Sequence, residues 1–233
     1  RYVDGRLWIA DLAGGELLLA EADTGVILAR FGAEAGVTGG PDDLAVATDG
    51  TVYWTGFDAG TVGHLTLDGR GRTIATLVPG ANPITWGADG VLYVGIAVIG
   101  DGLYELDVRA EPVEPRQISE EVGNVNAFAV GVDGWIYGPS FAEGEGSVVR
   151  IDPATGEVET VAEGVGFPVA ARFAPDGTLL VLQNAPGLLV AVDIESGEVA
   201  PRVELPGTLD NFAVAPDGTL YVTTFNTPQV IVV

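Results

Sequence analysis

Three observations predict an all-β fold, a six-bladed β-propeller, for this sequence. First, six of the eight Asp-Gly dipeptides in the chain (Asp4-Gly5, Asp49-Gly50, Asp89-Gly90, Asp133-Gly134, Asp176-Gly177 and Asp217-Gly218) recur at an almost even beat, with intervals of 45, 40, 44, 43 and 41 residues. Second, each lies between two short apolar runs, where a tight hairpin takes residues tolerant of positive φ. A repeat of roughly 40–45 residues with about four strands is the signature of a propeller blade. Third, no helical periodicity of useful length competes with the strand pattern.

The elements follow in order. Residues 1–233 form one domain, with blades at about 1–35, 36–79, 80–122, 123–165, 166–207 and 208–233. The first blade supplies a second, third and fourth strand (7–11, 16–21, 26–31) and almost no first strand. In the second blade the strands are 44–47, 51–55, 62–67 and 73–77, with the Asp49-Gly50 turn between the first two. The third repeats the grammar at 83–86, 92–95, 103–107 and 116–119, and the pattern restarts at Ala127, Val169 and Phe212. Val, Leu, Ile, Tyr and Trp fill the strands, and Gly, Asp, Pro and Thr fill the joints. A second turn signal joins third strands to fourth strands at Asp23-Thr24-Gly25, at 152–157 and at 193–198. The last blade offers a first, second and third strand only. The terminal blades therefore read as incomplete, which leads us to expect a longer natural chain and a partner covering the edge at that seam.

Composition narrows the function classes. The 233 residues suffice for one large domain with a well-buried core. There is no cysteine, so disulfide and thiolate chemistry are excluded, and all ten basic residues are arginines. The net charge of −23 repels phosphate backbones, so nucleic acid is not expected as a partner. No apolar stretch approaches the ~18 residues of a membrane helix, and neither a signal peptide nor membrane association is expected. The compartment is unassigned, with an extracellular or periplasmic setting favoured over a cytoplasmic one.

In such a wheel the starts of the first strands crowd one mouth of the central channel. Here they read Pro41-Asp42-Asp43, Ala81-Asn82-Pro83, Asn124-Val125-Asn126, Gly166-Phe167-Pro168 and Leu209-Asp210-Asn211. Four of the five carry Asp or Asn where the chain enters the core, and such groups need partners. Two solutions are open. A hard cation suits carboxylate and carboxamide oxygens with no His or Cys among them, which makes calcium, or another divalent hard cation, the candidate. Alternatively, the side chains bond neighbouring backbone amides and water, as Asx turns do. Second strands end on the same mouth, where Trp54, Phe57, Ile96, Phe141, Asn184 and Phe225 form a rim suited to a compact, partly apolar small molecule. Phe141 and Phe225 are equally suited to packing between blades. Asn82 and Asn124 are further candidates for orienting a substrate.

The segments 40–44, 124–128 and 209–213 resemble the calcium-binding segments of six-bladed lactonases, the gluconolactonase/regucalcin (senescence marker protein) family and the paraoxonases. The resemblance spans nearly the whole chain in blade count and register, although only these three short segments are specific. It implies that Asp42 or Asp43, Asn126, Asp210 and Asn211 are calcium ligands, and that Asp210 doubles as general base. Two departures stand out. Phe167-Pro168-Val169 lies where the family usually offers a further asparagine. Asn82-Pro83-Ile84 lacks the paraoxonase histidine. The one histidine, His64, falls in a third strand away from the channel. No Gly-x-Ser-x-Gly appears, so serine-nucleophile chemistry is not indicated.

Three functions are therefore expected to compete. The first is a calcium-dependent hydrolase of lactones or related esters, with the ion as Lewis acid and Asp210 as base. The second is a non-catalytic propeller that binds a small molecule or a protein at the same mouth. The third is an eliminase resembling streptogramin lyases, which the absence of a channel histidine disfavours.

Overall fold

The computed structural model describes residues 1–140, 145–225 and 229–233. It is all-β, with six blades of antiparallel strands, and it divides into two compact units, 1–121 and 122–233. Each unit holds three blades. The first unit comprises Tyr2–Val3, Arg6–Asp11, Glu16–Glu21 and Ile27–Phe31; then Pro41–Val46, Val52–Gly56, Thr61–Leu65 and Gly71–Thr76; then Ala81–Trp86, Leu92–Ile96, Gly102–Leu106 and Arg116–Ser119. The second unit comprises Ala129–Val130, Ile136–Ser140, Ser147–Ile151 and Val158–Glu163; then Pro168–Phe173, Leu179–Gln183, Leu188–Val192 and Val199–Glu204; then the three strands Leu209–Val214, Leu220–Thr224 and Val230–Val232. Among the described residues no helix is long and apolar enough to cross a membrane.

The six periodic Asp-Gly pairs do form the hairpins, but five of the six use a different turn from the tight one expected. Only Asp4-Gly5 has both residues at positive φ (48° and 78°), which suits a two-residue loop between Val3 and Arg6. In the second blade Ala47 N donates to Thr51 O at 2.8 Å and Gly50 N to Ala47 O at 2.9 Å. That is a three-residue loop in which only the glycine, at φ 88°, is left-handed. The Asp49 carboxylate closes it by accepting from Thr51 N at 2.9 Å, and these backbone bonds hold its pKa below the usual carboxylate range. The same closure recurs at Asp89, Asp133, Asp176 and Asp217. In third-to-fourth turns, Asp152 and Asp193 cap their loops in the same way.

Cores form between neighbouring blades inside each unit. In the first, Leu17, Val37, Leu44, Val52, Trp54 and Leu65 make one cluster, and Ala45, Tyr53, Val62, Ile84, Leu92 and Val94 belong to another. In the second, Val148, Val165, Ala171, Val181 and Val190 pack together, as do Ala170, Leu182, Leu189, Leu209, Phe212 and Val222. Alternation along the strands puts these side chains on the covered faces and leaves the fourth strands largely exposed.

Candidate functional site

Three of the four Asx-bearing starts of first strands, in the second, third and sixth blades, are β-bulges. In the second blade Pro41 pairs with Gly56 and Leu44 with Trp54, so Asp42 and Asp43 together oppose Thr55. In the sixth, Leu209 pairs with Thr224 and Phe212 with Val222, so Asp210 and Asn211 oppose Thr223. A bulge leaves backbone groups outside the ladder, and these need partners when buried.

Side chains provide them in the same way twice. Asp43 N donates to Thr55 Oγ1 at 3.1 Å, and Leu44 N donates to Asp43 Oδ1 at 2.8 Å. Asn211 N donates to Thr223 Oγ1 at 3.1 Å, and Phe212 N donates to Asn211 Oδ1 at 2.8 Å. In the third blade Asn82 and Pro83 oppose Gly95. Proline brings no N–H to satisfy, and the facing residue there carries no hydroxyl. Thr55, fully buried, also donates to Asn82 O at 2.7 Å and so links the second and third blades.

An arginine then meets the same side chain in each unit, at the second carboxylate oxygen of Asp43 and at the one amide oxygen of Asn211, which Phe212 N shares. Arg1 Nη2 lies 3.2 Å from Asp43 Oδ2 and 2.6 Å from Ile84 O, while its Nε donates to Leu44 O at 2.7 Å. Arg172, 8% exposed, donates from Nη1 to the carbonyls of Ala127, Phe128 and Ala171 at 2.8–2.9 Å and from Nη2 to Asn211 Oδ1 at 2.9 Å. Ile84 N also donates to Asp43 Oδ2, at 3.3 Å.

The other expected site residues fall as follows. Asp42 is half-buried and Asp210 exposed, both at the first position of a bulge. Asn126 Oδ1 accepts from Ala127 N at 2.8 Å, and Ala127 O in turn receives Arg172. Asn124 is half-buried and left-handed at φ 52°. Asn184 Nδ2 donates to Leu209 O at 2.6 Å, tying the fifth blade to the sixth. Phe57 is half-buried and Phe225 is 69% exposed, whereas Phe141 lies outside the described residues.

Trp54 requires a correction. It is not a rim residue but fully buried, its ring covering Gly63 and its indole N–H donating to Thr38 O at 3.1 Å. Its side chain points to the core face of the strand, so it is unavailable to a ligand. His64 accepts from Arg72 Nε at 3.0 Å and meets Tyr53 edge-on; burial, then Arg72, lower its pKa.

A calcium ion does not fit two of its expected ligands. Both Asp43 oxygens and the Asn211 oxygen are engaged by backbone N–H groups and a guanidinium, and a second cation there would face a like charge. Among the described residues no group of three His, Cys, Asp or Glu side chains stands together as a metal ligand set. The residues that sequence reasoning passed over are Arg1, Arg172, Thr55 and Thr223. Their signals were a threonine twelve positions after an Asx and an arginine inside the apolar run Ala170-Ala171-Arg172-Phe173.

Comparison with known proteins adds the fold but little chemistry. A family model described as a repeat of unknown function matches residues 44–205. No curated protein matches the chain. Among solved structures, a chain of a nidogen/laminin complex is similar with a TM-score of 0.81 and 16% identity, over 97% of this chain and 88% of that one. A gluconolactonase from Xanthomonas campestris is similar at 0.76 and 15% identity, over 94% and 79%. A virginiamycin B lyase from Staphylococcus aureus is similar at 0.72 and 14%, over 100% and 82%. At such identities the likeness extends to the fold alone, the six-bladed β-propeller.

Proposed function

The chain belongs to the family described as a repeat of unknown function (DUF6923), and from that premise we propose a non-catalytic propeller that binds a small organic molecule where the first strands begin. One observation carries this reading. In the second unit two exposed phenylalanines flank an exposed carboxylate on a single edge. Phe167, 53% exposed, accepts on its carbonyl from Asn184 N; Asn184 O accepts from Leu209 N beside Asp210; and Phe225, 69% exposed, donates from its N to Thr208 O. Apolar surface beside a fixed negative charge suits a ligand with an apolar body and a cationic or hydrogen-bond-donating group. The charge of −23 favours the same sign of ligand.

The test is a thermal-shift and calorimetric panel of aromatic amines against the matching aromatic carboxylates. Amines should raise the melting temperature, and both Asp210→Asn and Phe225→Ser should abolish the shift. Equal responses to amines and carboxylates would remove the reading. A protein partner across the same edge would instead give no small-molecule response in either series.

A second reading is a calcium-dependent hydrolase of lactones or related esters with Asp210 as base. It draws support from the exposure of Asp210 at the start of a first strand. It requires Asp43 and Asn211 to leave their present partners. A panel of γ- and δ-lactones with added calcium tests it, and equal rates in the parent and Asp210→Asn would remove the catalytic assignment.

A further inference from the structure

We infer that Arg1 in the first unit and Arg172 in the second are the built-in cations around which these blades are assembled, in the role expected of a metal ion. The two arginines stand at matching places. Tyr2 pairs with Leu7 and Phe173 with Leu179, each two residues after the glycine of its Asp-Gly turn, and the arginine immediately precedes Tyr2 or Phe173. Each reaches the bulge of the following blade: Arg1 meets Asp43, and Arg172 meets Asn211. These two acceptors are themselves equivalent, because each follows the first bulge residue and opposes a threonine.

Each arginine also takes carbonyls from a third blade of its own unit. For Arg1 the carbonyl is that of Ile84; for Arg172 they are those of Ala127 and Phe128. Three first strands are thereby joined through one side chain in each unit. Carboxylate or amide oxygen together with backbone carbonyls is the donor set that a hard cation collects. Here a planar fork with five N–H groups meets it, and the fork cannot be deprotonated or chelated away. The inference is independent of which ligand the exposed edge binds.

The test uses the full chain. Thermal unfolding in excess chelator and in excess calcium should give coincident curves. Arg172→Met takes the guanidinium from four acceptors, of which Ala127 O keeps Ala171 N and Asn211 Oδ1 keeps Phe212 N, and should lower the melting temperature by roughly 10 °C. Asn211→Ala should lower it less, and the double variant should fall short of the sum because the two side chains share one bond. Arg172→Lys, which keeps the charge and loses the fork, should lie between the parent and Arg172→Met; exposed Arg202→Met should melt with the parent. Arg1→Met should weaken the first unit in the same manner.

If Arg172→Met does not fold, Arg172→Lys against Asn211→Ala carries the comparison, and a Lys variant as stable as the parent counts against the fork. A melting temperature raised by calcium or lowered by chelator in the parent overturns the inference. So does an Arg172→Met protein as stable as the parent, or strict additivity with Asn211→Ala.

Discussion

Thr55→Val is the sharpest test of the bulge geometry, because valine matches threonine in shape and removes only the hydroxyl. That hydroxyl accepts from Asp43 N at 3.1 Å and donates to Asn82 O at 2.7 Å inside a fully buried site. Its loss leaves the Asp43 N–H without this acceptor, at about 1–3 kcal/mol for an unsatisfied buried donor. The Asn82 carbonyl loses a donor at a smaller cost, since under-satisfied carbonyls are better tolerated. The sum is about 2–3 kcal/mol, and at this chain length each kcal/mol lowers the melting temperature by about 2–4 °C. A fall of roughly 5–10 °C is therefore expected by circular dichroism, with the urea m-value unchanged. Thr55→Ser, which keeps the hydroxyl, should recover most of it. The reasoning is refuted if Thr55→Val melts with the parent, or if Ser and Val variants are equally unstable.

Two further outcomes follow from the same packing. A Cβ at Gly63 would sit 2.2 Å from Trp54 Cζ2, so Gly63→Ala overpacks a fully buried indole, and a loss of about 1–3 kcal/mol in urea unfolding is expected; an unchanged midpoint would mean the ring has room to move. Burial first, then Asp89, pushes the Tyr93 phenol up to about 12 from 10.0, so its neutral form is held in the folded state. Stability from this group is complete below pH 10.0 and is lost as the pH rises through about 12. Phenolate absorbance should therefore show a late-titrating tyrosine that Asp89→Ala brings forward, and parallel curves for the two proteins would contradict the assignment.

The succession of blades was legible in the sequence because it rests on local chemistry that repeats. Asp closes the hairpin through its own carboxylate and Gly supplies the left-handed residue, so the beat of Asp-Gly pairs fixes where strands meet. The loop type was less legible. In five of the six turns the aspartate keeps negative φ, and nothing in the dipeptide itself distinguishes a two-residue from a three-residue loop. The candidate site was legible in its positions and not in its partners. Asp42, Asp43, Asp210 and Asn211 do head first strands, as read from the sequence. That Arg1 would reach Asp43 across 42 residues, or Arg172 reach Asn211 across 39, depends on neighbouring blades in space, which no local pattern encodes. Trp54 shows the complementary failure. A strand alternates sides with a period of two, and placing an aromatic near a strand end does not decide which face it takes.

The comparison of three bulges argues that Asx residues here answer a backbone need before any ligand need. Where the second bulge residue has an N–H, as in Asp43 and Asn211, a threonine stands opposite and receives it. Where that residue is Pro83, the opposite position is Gly95 and the bulge carries no such bond to make. Hydroxyl and N–H therefore come and go together, which a metal-ligand requirement alone would not produce. The side-chain oxygen of the Asx then faces its own next backbone amide, in Asp43, Asn126 and Asn211 alike. A ligand set read from such positions is thus only as strong as the lone pairs left over. For Asp43 and Asn211 these meet a guanidinium, whereas Asp210, one residue earlier, is exposed. On the proposed reading a ligand at this edge would meet the exposed first bulge residue and the phenylalanines beside it, while the bonds of the second bulge residue serve the fold.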